Sequence, residues 1–164
     1  MLRKQNAAFA RALIDETRKF IVPLFALVTL LALLAGVSPV AAKGGRPLST
    51  ALTGAAEVPG PGDPDGSGKA TLTLNQGQGE ICFKITVSNI TLPATGAHIH
   101  EAPAGAAGSI VVFLTPPDAS GSSSGCVSVA RALVKEIRKH PSGFYVNVHN
   151  ANFPAGAVRG QLSK

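Results

Sequence analysis

The sequence has few of the features that announce catalysis. It contains no Gly-x-Ser-x-Gly nucleophile elbow, no phosphate-binding glycine loop and no His-Glu-x-x-His, so the chemistries those patterns carry have no foothold here. Acidic residues are sparse. After residue 42 there are seven, Glu57, Asp63, Asp65, Glu80, Glu101, Asp118 and Glu136, and none has the local pairing of an acid–base couple. Glu101 follows His100 directly, but neighbours on an extended strand point to opposite faces and cannot work together. Cysteine is limited to Cys82 and Cys126. With no cysteine at the end of the N-terminal apolar segment, a bacterial lipid anchor is not expected, and no twin-arginine pair is present.

Positive charge is also scarcer than the whole-chain value suggests. The formal net charge is +6, but Arg3, Lys4, Arg11, Arg18 and Lys19 lie ahead of an apolar stretch from Phe20 to Val37. Val40-Ala41-Ala42 then places small residues at the −3 and −1 positions of a cleavage site before Lys43. This three-part pattern reads residues 1–42 as a secretory signal peptide cleaved between Ala42 and Lys43. If uncleaved, the same segment is long enough to tether the protein to a membrane. Residues 43–164 keep ten Lys/Arg against seven Asp/Glu, a balance that gives no reason to expect a nucleic-acid partner. Two cysteines in an exported chain read as one disulfide, closing a loop of about 44 residues. No local feature lowers a thiol pKa, so a catalytic cysteine is the lesser alternative.

Beyond a lead-in at residues 43–47, the chain is a series of short alternating runs. Leu48–Ala55, Ala70–Leu74, Glu80–Val87, Gly96–Glu101, Ile110–Leu114, Cys126–Val129, Phe144–Asn150 and Ala157–Leu162 each read as a strand. In Glu80–Val87, Ile81, Phe83, Ile85 and Val87 share one face and Cys82 lies on the other. Turn-rich segments separate the runs. Residues 58–68 contain an Asp63-x-Asp65-Gly66 stretch that hints at a calcium loop but lacks the closing Glu, so a plain turn is the better reading. Residues 115–125 read as a flexible loop. Asn89-Ile90-Thr91 is a glycosylation sequon, meaningful only in a eukaryotic secretory pathway. Between Ala130 and Lys139 the period changes: Leu133, Val134 and Ile137 take helical spacing, with Arg131, Lys135, Arg138 and Lys139 opposite. That basic face reads as solvated rather than as a docking surface. Seven to eight strands with one short helix predict an all-β Greek-key sandwich or barrel over residues 48–164, preceded by an N-terminal signal helix.

Three of the four histidines fall on two of these strands. His98 and His100 share a face of Gly96–Glu101, with Ile99 opposite. Tyr145, Asn147 and His149 share a face of Phe144–Asn150, with Phe144, Val146 and Val148 opposite. Two imidazoles at i and i+2 can reach one ion, and a third from another strand completes a candidate site for copper or zinc. The competing reading is that all three bond to loop carbonyls and hold the sheet edge together. His140, beside the helix end, is expected to face solvent. The metal reading stands only if His98, His100 and His149 converge on one point.

Five ordered stretches carry a family resemblance: Leu52–Pro59, Gly96–His100, Gly125-Cys126-Val127, Phe144–Asn150 and Phe153–Leu162. Together they resemble the chordin-type (CHRD) domain over nearly all of residues 48–163. The resemblance implies an extracellular all-β domain with no established enzymatic activity, and the chain is read as an exported, non-catalytic binding or structural module for an extracellular protein or surface ligand. It assigns no catalytic residues. Gly160 is expected where a side chain would crowd a neighbouring strand. Arg159 is expected to pair with Glu101 or with a backbone carbonyl. The His-x-His strand also bears a partial resemblance to copper–zinc superoxide dismutase. No zinc loop or bridging histidine accompanies it, so dismutase activity is not expected.

Overall fold

The computed structural model describes residues 45–164. The signal peptide read in residues 1–42, and its cleavage before Lys43, lie outside the described residues. Eight strands follow one another: β1 (Arg46–Thr53), β2 (Ser67–Asn75), β3 (Glu80–Ser88), β4 (Gly96–Glu101), β5 (Ser109–Leu114), β6 (Ser122–Ser128), β7 (Phe144–His149) and β8 (Val158–Gln161). One helix, α1 (Arg131–Lys139), lies between β6 and β7. The strands form one sheet in the order β5-β4-β7-β8-β1-β2-β3-β6, antiparallel at every pairing.

Chain connectivity forces this sheet to curl. The two edge strands, β5 and β6, are consecutive in sequence. Laid flat, eight strands would hold them roughly 34 Å apart. The chain from Leu114 to Ser122 spans roughly 28 Å at full extension. The sheet therefore closes most of the way into a barrel. The linking loop is pinned at both ends of the gap: Ala94 N–H donates to Pro117 O at 2.9 Å, and Val87 N–H donates to Gly121 O at 2.8 Å.

The period-two pattern decides which side chains fill the interior. Ile81, Phe83, Ile85 and Val87 of β3 are buried, as are Leu72 and Leu74 of β2 and Val146 and Val148 of β7. Helix α1 adds Val134 and Ile137, both fully buried, and packs against β2 and β3. Its Arg131, Lys135, Arg138 and Lys139 are exposed. At the β8–β1 contact a β-carbon on Gly160 would overlap the Ala51 carbonyl, so the glycine allows the close approach expected of it.

Several boundaries differ from the sequence reading: β2 begins at Ser67, inside the segment read as turn, and the bounds of β1 and β6 also move. The first strand starts at Arg46 and ends at Thr53, where a 3-10 turn over Gly54–Ala56 takes the chain out of the sheet. The segment expected as loop to Gly125 is strand from Ser122 onward. Its backbone pairs with β3 from Thr86↔Ser122 to Glu80↔Ser128. Serine and glycine dominate there because β6 is an edge strand with largely exposed side chains, so no apolar alternation marks it. Cys82 and Cys126 stand opposite each other in that register and are joined by a disulfide.

Candidate metal centre

The site lies on the outer face of β4, β7 and β8. The outer face of a barrel ordinarily meets water. Here Tyr145 is 3 % exposed, Asn147 2 %, Arg159 1 % and His100 8 %. The segment after β4 covers them through hydrogen bonds. Gly108 N–H donates to the Tyr145 hydroxyl at 3.2 Å, and Arg159 Nη2 donates to Pro103 O at 3.1 Å. Gln161 Nε2 donates to Ala102 O at 2.8 Å. Arg159 thus takes the carbonyl alternative of its expected partners. Its guanidinium carbon also lies 3.4 Å from the centre of the Tyr145 ring, a cation–π contact. His100 stacks on the same tyrosine, with ring centres 4.7 Å apart and planes 6° from parallel.

The register of β4 and β7 brings the histidines together. Gly96 faces His149, His98 faces Asn147 and His100 faces Tyr145. One ring nitrogen from each of His98, His100 and His149 lies within 4.8 Å of the others. His98 Nδ1 is 3.1 Å from His149 Nε2. Gly96 makes room for this approach, since a β-carbon there would stand 3.2 Å from His98 Cε1 and 3.5 Å from His149 Cδ2. On the other side of His98, Phe113 of β5 meets the ring edge-on at 5.2 Å, and its own side chain is largely exposed.

Loop carbonyls orient two of the three rings. His149 Nδ1–H donates to Pro154 O at 3.0 Å, leaving Nε2 with its lone pair toward His98. His100 Nδ1–H donates to Gly108 O at 2.9 Å, leaving Nε2 toward the cluster. A carbonyl can only accept, so it places the proton on Nδ1 and fixes the tautomer. The same arrangement, a ring N–H tied to a carbonyl behind the ligating nitrogen, holds metal-bound histidines in position. The carbonyl bonds of the competing structural reading are therefore present, and they belong equally to a metal centre.

Electrostatics favour the neutral form of His98 and His149. Burial pushes His98 down to about 4, with the neighbouring His149 and His100 adding to the shift and the Asn147 side chain, as an acceptor, opposing it. His149 is lowered chiefly by burial, against the pull of the Pro154 carbonyl. Neutral imidazole is the form that binds metal.

The other candidates fall elsewhere. His140 is exposed near the end of α1, with Nε2 3.8 Å from Glu136 Oε1. Glu80, Cys82 and Cys126 also converge, but the two sulfurs are bonded to each other and offer no thiolate. Asp63 and Asp65, read from sequence without a local partner, are near enough to interact: burial first, and then the neighbouring Asp65 carboxyl, raise the Asp63 pKa. Asn147 was visible in sequence only as a residue on the histidine face. Its place beside His98 and His100 depends on strand pairing, which period-two alternation does not specify. Glu57, buried against Gly62 and Gly156, stood in the sequence only as part of the Leu52–Pro59 motif, with no role read for it.

Fold and site together define a small all-β domain: one curled sheet, an internal disulfide, and a histidine cluster on a covered outer face. Residues 48–162 match the family model described as the CHRD domain, and the chain belongs to that family. Comparison with curated proteins gives no significant match.

Proposed function

We propose that this CHRD domain works outside the cytoplasm as a non-catalytic binding module, and that it binds a copper or zinc ion through His98, His100 and His149. The observation that carries the reading is the convergence of three ligand nitrogens within 4.8 Å of one another. The oriented tautomers of His100 and His149 support it, as does the space left by Gly96. Copper and zinc both accept imidazole, and three protein ligands leave a further coordination position to fill. Export is supported by the signal-like N-terminal pattern, by the family and by the disulfide. Among the described residues no helix is long and apolar enough to cross a membrane.

One preparation tests both parts. Exported protein, made without a histidine tag, is expected to begin at Lys43 by mass spectrometry. After metal removal it is expected to take up one zinc or copper ion with sub-micromolar affinity by calorimetry, and His98→Ala plus His100→Ala is expected to abolish uptake. A retained N-terminal segment contradicts the cleaved form. Binding no tighter than high micromolar contradicts the metal reading.

A further inference from the structure

We infer that Asn147 is the fourth donor of this centre, its carboxamide holding His100 in place without an ion and turning its oxygen to the ion when one binds. The inference rests on the three-histidine reading and deepens it.

Asn147 lies within the cluster. It is the cross-strand partner of His98 on β4, and its Oδ1 position is 3.1 Å from His100 Nε2. It is buried, so its amide group has no bulk water as an alternative partner.

The hydrogen-bond chemistry of His100 then limits what Asn147 can offer. His100 Nδ1 faces the Gly108 carbonyl, which only accepts, so that nitrogen carries the proton. In a neutral ring Nε2 is therefore an acceptor, and the group facing it must donate. The amide nitrogen of Asn147 can do so, because a half-turn of the carboxamide exchanges its oxygen and nitrogen with little change in shape. An ion on His100 would occupy the same lone pair and displace that N–H. The reverse half-turn brings the amide oxygen to the ion. The result is a set of three imidazoles and one neutral oxygen. That donor set suits zinc(II) or copper(II), whereas copper(I) is favoured by softer sulfur ligands.

The test compares wild type, Asn147→Asp and Asn147→Ala in zinc(II) and cobalt(II) titrations, with cobalt visible absorption reporting coordination and circular dichroism reporting the fold. The inference predicts that Asn147→Asp binds zinc at least tenfold more tightly and changes the cobalt spectrum, because a charged oxygen replaces a neutral one. Asn147→Ala is expected to bind about 10–100-fold more weakly. If Asn147→Ala does not fold, Asn147→Asp alone decides. Weaker zinc binding by Asn147→Asp would mean that the carboxamide serves only as a hydrogen-bond donor, and would overturn the assignment. Unchanged affinity and spectrum in the variants overturn it too, while leaving the three histidines standing. A wild-type protein that takes neither ion removes the three-histidine site and this inference together.

Discussion

Glu57 is 5 % exposed, and its Oε1 has no hydrogen-bond partner. Loss of water raises its pKa from 4.5 to about 7, against the opposing pull of the Arg159 guanidinium and the Val58 N–H. The folded protein therefore holds this proton more tightly than the unfolded chain. Below about 4.5 both states carry it, and Glu57 leaves stability unchanged. As pH rises toward 7 the unfolded chain gains by ionising first, so stability falls; above about 7 the loss is complete. The expected outcome for Glu57→Gln is a melting temperature that gains on wild type between these pH values and keeps its lead above them. Parallel pH profiles for the two proteins would contradict this. At the same scale, the shared face of His98 and His100 was legible because side-chain direction on a strand depends only on sequence spacing. The carbonyls of Gly108 and Pro154 were not legible, because loop positions follow from tertiary packing.

Elements were legible where one face is buried and the other wet. The β2–β3 hairpin has that character, with Ile81, Phe83 and Ile85 inward and Lys84 and Thr86 outward. Helix α1 could be read because its period differs from that of its surroundings. Strand β6 was not fully legible, since an edge strand of Ser122, Ser123, Ser124 and Gly125 is held by its backbone rather than by an apolar face. Its covalent tie to β3 therefore matters more than it would for a central strand. The Cys82–Cys126 disulfide closes a loop of 44 residues, which the chain-entropy model values at about 3–4 kcal/mol. Reduction, or Cys82→Ala with Cys126→Ala, is expected to lower the denaturant-unfolding free energy by about that amount. An unchanged unfolding midpoint would show that β3 and the core already hold β6.

At the scale of the molecule, the fold class followed from the count and spacing of strands, and five ordered motifs pointed to the family that residues 48–162 belong to. Strand order is what sequence left open, and it builds the site. Residues 98 and 149 are 51 positions apart, yet β4 and β7 are neighbours in the sheet. Had His149 pointed to the interior, or β7 lain across the barrel, no third imidazole would have reached the pair. Closure of the sheet and the cover over its outer face then bury His100, partly bury His98 and His149, and bring one nitrogen of each ring toward one point. The most direct test is nitrogen NMR of the imidazoles during a zinc titration, with only four histidines to assign. The account predicts that one equivalent shifts Nδ1 of His98 and Nε2 of His100 and His149, that the Nδ1 protons of His100 and His149 stay in place, and that His140 does not respond. Zinc that leaves the three rings unchanged, or is taken up at His140 instead, would contradict it.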